Sequence, residues 1–351
     1  MIREYRDASG VVGYRMKNTA VIIIVVVAIA LAGLGAWTFL DLRKTPPGTM
    51  DSISVAYSPF ESSELFLVAD DRGFFTENGL SLTLYRSSSG AAALDDMVNG
   101  KGDMAVSVSE YPLVGKVFQG TPARALASMD KGEYIYIIAR KDRGIVNPLD
   151  LKGKRVGTTT GSIAEFYLGR FLSLHGLGMQ DIRYLSVKTP NETANAVTAG
   201  DIDAAVLAQP YADLARDRLG TNAVAWPAQS SQPLYALVVS TDSWIAGHPE
   251  QVTRFLRALA EAEAFTGTHP AEAKAIVQER LNLDPGYMDT VWQQNQFTLT
   301  LDQSLVLTME DEARWMIANN LTNETAVPDF RRYIDTAGLE AVRPGSVNII
   351  R

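Results

Sequence analysis

From residue 53 onward the chain alternates short apolar strands with amphipathic helices, and it does so twice. Strand patterns at 53–57, 80–85 and 103–108 are each followed by a helix pattern: first Leu65, Phe66, Val68 and Ala69, then 91–98, then 111–118. Two further strands, 124–129 and 134–139, close this run. The alternation then restarts, with strands at 154–158, 182–187 and 204–207 and helices at 163–174, 192–199 and 210–218. Strand–helix alternation of this kind is the signature of parallel α/β sheets. After a long apolar strand at 234–240 the sequence turns helical: 249–265, 270–281, 285–294 and 302–319. A late helical block needs a sheet to cover, and packing it on the first unit makes the second unit an insertion. The expectation is an α/β protein of two lobes with a double hinge and a cleft between them. Lobe I takes residues 52–139 and 236–351, and lobe II takes 140–235.

The segment before this body is different in kind. Residues 19–40 are apolar and uncharged, and about 22 residues at 1.5 Å rise reach roughly 33 Å, enough to cross a bilayer core. Arg3, Arg6, Arg15 and Lys17 precede it and Arg43 and Lys44 follow, so the basic excess places the N-terminus inside. The reading is a cytoplasmic tail at 1–18, a transmembrane helix at 19–41 and a linker at 42–51 containing Pro46-Pro47-Gly48. The competing reading is a signal peptide cut after Ala32. Both place the globular part outside the cell membrane, where Asn191, Asn320 and Asn323 sit in glycosylation triplets.

Composition excludes several function classes. A net charge of -8 lacks the basic field that nucleic acid requires. No cysteine is present, which removes disulfides, thiolate metal sites and cysteine nucleophiles. Only His175, His248 and His269 are available, and each sits near a helix end, where capping or surface roles suffice. There is no G-x-S-x-G, H-E-x-x-H or G-x-x-x-x-G-K-[ST] motif, so neither a cofactor nor a metal is expected.

Several segments keep the order and spacing of a known family over about residues 52–280. Leu67-Val68-Ala69-Asp70-Asp71-Arg72-Gly73-Phe74-Phe75-Thr76-Glu77-Asn78-Gly79-Leu80 resembles its A-x-x-x-G-[FY]-F-x-x-x-G-L stretch. Gly100–Ala105, Pro148–Gly157, Gly200–Ala205 with Gln209-Pro210, and Pro249–Val252 resemble further segments. The family is that of nitrate/sulfonate/taurine-type periplasmic binding proteins, a group that includes binders of thiamine-pyrimidine precursors. The resemblance implies a type II periplasmic-binding-protein fold, a small anionic or zwitterionic solute, and delivery to an ABC permease with its ATPase. It also keeps two alternatives open: an enzyme for pyrimidine precursors on the same fold, and a membrane-tethered sensor. The chain departs from many members in lacking a lipid-modified cysteine.

Ligands of open α/β sheets bind beyond the carboxyl ends of the strands, where helix N-termini offer free N–H groups. Four turns qualify. They hold Ser58, Glu61, Ser62 and Ser63; Ser88, Ser89 and Gly90; Ser107 and Ser109; and Thr159, Thr160, Gly161 and Ser162. Gln209 and Tyr211 occupy a further strand–helix turn, and Tyr134 lies near the expected hinge. Hydroxyls and amides there can hold an oxyanion without a formal positive charge. Ser, Thr and Gly are also ordinary cap residues. The Thr159–Ser162 turn is the strongest candidate, and Glu61 could meet the cationic end of a zwitterion.

Overall fold

The computed structural model describes residues 2–6, 12–16 and 50–350. The expected transmembrane helix at 19–41, the Ala32 cleavage site and most of the linker lie outside them. Near the N-terminus, within the expected tail at 1–18, β1 (Ile2–Arg6) and β2 (Val12–Met16) pair antiparallel, Ile2 opposite Met16. Among the described residues no helix is long and apolar enough to cross a membrane.

Residues 50–351 form a second unit holding two five-stranded sheets. Its strands are β3 (Asp51–Tyr57), β4 (Leu80–Arg86), β5 (Met104–Val108), β6 (Ala123–Gly132), β7 (Ile135–Arg140), β8 (Arg155–Thr159), β9 (Arg183–Val187), β10 (Ala204–Ala208), β11 (Ala223–Pro227) and β12 (Leu234–Thr241). The first sheet runs β4-β3-β5-β12-β6 and the second β11-β7-β10-β8-β9. β3, β4 and β5 are parallel, as are β8, β9 and β10, which is what two runs of strand–helix alternation produce. β5 is buried at every residue, apolar except for Ser107.

Two boundaries move. The strand at 134–139 was read as the last of lobe I, yet β7 pairs with β10 and β11 in the second sheet. Leu234 and Tyr235, placed in lobe II, open β12 beside β6. An apolar strand does not reveal which sheet it joins; that depends on partners about 70 residues away. β11, an edge strand, went unread.

The late helices do cover the first sheet. Val252, Phe255, Leu256, Leu259 and Ala262 share one face of the helix Pro249–Thr268. Phe255 stacks on Phe66 and lies tilted against Phe75, with centroids 6.3 and 4.8 Å apart. Burying one such ring stabilises by about 1.5–3 kcal/mol. The open edge of β6 is covered by residues 295–301, where Ser128 and Thr300 exchange backbone hydrogen bonds of 2.8 and 3.0 Å. That covering removes an exposed strand edge. The helix Gln303–Ala318 reaches both lobes: Trp315 packs against Tyr111 of the first and Phe166 of the second, at 6.0 and 5.8 Å.

Candidate functional site

The chain passes between the sheets twice, at residues 133–134 and 228–233. One side chain ties these crossings together. Gln229, 1% exposed, accepts hydrogen bonds from the Tyr134 and Ile135 amides at 2.7 and 2.9 Å and donates to the Gly132 carbonyl at 2.9 Å. Nothing in the sequence singled it out, because its partners are about 95 residues away and carry no side-chain signal.

Beyond the carboxyl ends of β3, β4, β5, β8 and β10, the lobes enclose a cavity of about 100 Å³. Of the expected site residues, Ser58, Ser62, Ser89, Gly90, Ser107, Ser109, Tyr134, Thr159 and Ser162 line it. Thr158, Phe60, Tyr235 and Pro190 line it as well and were missed. Thr158 belongs to the strand before the turn, and Phe60 reads as core. No Asp, Glu, Lys, Arg or His is in the lining.

The first-lobe side is a network of hydroxyls. Ser62 Oγ and Ser107 Oγ are 2.6 Å apart, and Ser58 Oγ donates to the Ser107 carbonyl at 3.0 Å. Ser107 has φ +58°, a left-handed conformation that costs a non-glycine residue about 1–3 kcal/mol and tends to persist at functional sites. Ser89 caps the helix Gly90–Val98 by accepting from the Ala92 amide at 3.2 Å. Gly90 begins that helix where a Cβ would stand 2.5 Å from the Ser107 carbonyl oxygen. Only glycine lets the β4 and β5 turns approach this closely. First-turn amides lack intrahelical partners, so these turns present donors to the cavity.

The other expected residues point elsewhere. Thr160, exposed, donates to Ser186 Oγ at 2.6 Å, away from the cavity. The Gly161 amide is taken by the Glu165 carboxylate at 2.9 Å, so the turn judged strongest has spent part of its donor set on its own helix. Thr160 and Gly161 border a separate groove with Glu165 and Tyr111. Ser63 donates to the Ser58 carbonyl at 2.5 Å, and Ser88 is exposed and outside the lining. Gln209 donates to Asp213 at 2.8 Å, and Tyr211 meets Phe60 edge-on at 6.2 Å.

Buried acids flank the cavity without entering it. Glu61 is 1% exposed, and burial pushes its carboxyl up to about 7. Burial likewise raises Glu110 to about 8; this residue accepts the Tyr235 amide at 3.0 Å. Beside it, burial and the Glu110 charge hold Glu312 well above the usual carboxylate range. The three histidines serve helix ends: His248 stacks on Trp244, His269 on Phe265, and His175 Nδ1 lies 2.8 Å from the Phe171 carbonyl. Among the described residues no three metal-ligating side chains converge.

A family model described as "NMT1/THI5 like" matches residues 62–273. A 4-amino-5-hydroxymethyl-2-methylpyrimidine phosphate synthase of Aspergillus parasiticus is 24% identical over 62% of this chain and 66% of its own length. A protein of Haemophilus influenzae named as a putative thiamine biosynthesis protein is 25% identical over 62% of this chain and 69% of its own. The chain thus spans about two thirds of the length of the curated relatives it matches. In structure it is similar to the alkanesulfonate-binding protein SsuA of Xanthomonas axonopodis pv. citri, bound there to MOPS. The TM-score is 0.71 at 16% identity, covering 82% of this chain and 99% of that one. That likeness shows the periplasmic-binding-protein fold that the family resemblance implies. With the family model covering more than half its length, the chain belongs to the NMT1/THI5-like family.

Proposed function

We propose that this protein is an extracytoplasmic solute-binding component of an ABC importer, capturing a small molecule between its lobes and presenting the closed form to a permease. The observation that carries the reading is the lining. Hydroxyls and helix N-termini from both lobes meet across a cavity with no charged side chain. Such a surface grips an oxyanion or a polar, partly apolar solute by hydrogen bonds, and its contacts to both lobes favour closure about the Gln229-stapled crossings. The apolar segment 19–41 serves in this proposal as the tether to the membrane, with the N-terminus inside.

The names of the fungal relatives favour a second reading, chemistry on a thiamine-pyrimidine precursor. The lining's only functional side chains for that purpose are Ser, Thr and Tyr hydroxyls, and no carboxylate or imidazole stands in it to activate one. A thermal-shift screen of alkanesulfonates, taurine, nitrate, phosphonates and methylpyrimidines tests the binder. The expected result is stabilisation by one chemical class, with the solute recovered unchanged. Conversion of the solute would establish the enzyme instead.

A further inference from the structure

Beside the cavity, around the Asp130–Tyr134 crossing, buried oxygens collect without partners. Glu61 and Asp130 are 1% and 0% exposed, and none of their four carboxylate oxygens has a hydrogen bond of ordinary geometry. Gln209 Oε1 and Asn295 Oδ1, on residues 3% and 8% exposed, are also unpartnered. The orientation of both amides is fixed by their nitrogens: Gln209 Nε2 donates to Asp213 and Asn295 Nδ2 to the Val291 carbonyl, each at 2.8 Å. The oxygens therefore face inward as acceptors.

These residues belong to one neighbourhood. The Gln209 backbone N–H donates to the Tyr134 carbonyl at 3.0 Å, Asn295 is bridged to Gly132, the Glu61 charge acts on Asp130, and both act on Tyr134. The Tyr287 hydroxyl lies beside Glu61 without closing a hydrogen bond. The charges acting on Glu61 and Asp130 come from carboxylates, and the Lys131 ammonium is engaged by Asp302. Six buried acceptors, four of them on the two acids, thus close no hydrogen bond of ordinary geometry, although the Tyr287 hydroxyl and the Lys131 and Gln296 amides lie near, and no positive charge stands beside the acids. An unpartnered buried polar group is costly and an unpaired buried charge more so, so such a cluster is retained where something else completes it.

We propose that this cradle is a cation subsite, receiving a basic nitrogen of the bound solute: an ammonium, an amidinium or a protonated aminoheterocycle. The inference rests on the solute-binding reading above and extends it. A multi-donor cation supplies both things the cradle lacks. Tyr134 joins the two regions, because it lines the cavity while Glu61 and Asp130 lie close behind it. The solute's uncharged or anionic body would occupy the hydroxyl-lined cavity and its basic end the cradle. Gln209 and Asp213 bring the second lobe to the same point, so a bound cation would help hold the lobes closed.

Calorimetry on matched pairs tests this: taurine against ethanesulfonate, benzamidine against benzamide, and 4-aminopyrimidine against pyrimidine, with wild type, Glu61→Gln, Asp130→Asn and Ser58→Trp. The expected result is at least a tenfold preference for the nitrogen-bearing member of one pair. Glu61→Gln should erase that preference while leaving the other member within twofold. Asp130→Asn provides a second variant should Glu61→Gln fold poorly. Equal affinity within every pair, or a preference that survives both substitutions, overturns the cradle. Stabilisation by calcium alone, lost in the same variants, overturns it in favour of a metal. Ser58→Trp fills the cavity. If it leaves both members bound as in wild type, the cavity reading fails, whatever Glu61→Gln does. No binding by any member overturns both.

Discussion

The two sides of the cavity look alike in sequence and differ in structure. Ser58–Ser63 and Thr159–Ser162 are both hydroxyl-rich turns between a parallel strand and a helix. In the first lobe, Ser58, Ser62 and Ser107 interlock and stay at the cavity wall. In the second, Glu165 reaches back to the Gly161 amide and Thr160 turns to Ser186. A helix N-terminus is an anion site only if its own first turn carries no acid that can fold back onto it. Glu165 is that acid, and it was visible in the sequence at the right spacing.

Two sets of carboxylates, one from each lobe, are also treated oppositely. In the first, Glu61, Glu64 and Glu110 are buried and raised, to about 7, 8 and 8. In the second, Asp142 and Asp203 are held below the usual range by hydrogen bonds from Arg140 and Arg155 respectively. The raised acids of the first lobe are buried, whereas Asp142 and Asp203 of the second are each paired with an arginine.

The largest effect should come from the joint between the lobes. Gln229→Leu leaves the Tyr134 and Ile135 amides and the Gly132 carbonyl unpaired. We expect a loss of about 2–4 kcal/mol in urea unfolding. A loss under about 0.5 kcal/mol would show that the crossings are held by something else.

The acid contrast predicts opposite pH responses. Glu64 binds its proton more tightly folded than unfolded, so its contribution to stability falls as pH rises from about 4.5 to about 8. Asp203 is lowered, so its contribution is present above its unfolded pKa and lost as pH falls through its lower folded value. Amide exchange resolved by segment should loosen the first lobe on the alkaline side and the second on the acid side, and Glu64→Gln should flatten the alkaline limb. Parallel loosening of both lobes would remove the contrast.

The turns predict smaller effects. Ser62→Ala removes the Ser107 partner at the wall and should weaken binding of the solute found by screening about tenfold, near 1.4 kcal/mol. Thr160→Ala should change affinity less than twofold. A reversed order would return the site to the second-lobe turn.

Much of the fold was legible. Two runs of strand–helix alternation correspond to two sheets, and the late Phe255 helix packs on the helices of the first lobe. The sheet membership of β7 was not legible, since its pairing with Ala204–Ala208 leaves no local trace. Turn positions pointed to Ser62, Ser89, Ser107 and Ser109, because strand ends in a parallel sheet face one way. Which hydroxyls remain available depends on side-chain competition such as Glu165 with Gly161, and Gln229 acts only through distant backbone.

Solute bound between the lobes should close them. Small-angle scattering of the protein, with and without a saturating solute from the screen, tests it most directly. A smaller radius of gyration is expected with solute, and no such change in Ser58→Trp. Superimposable wild-type profiles at saturation would contradict it.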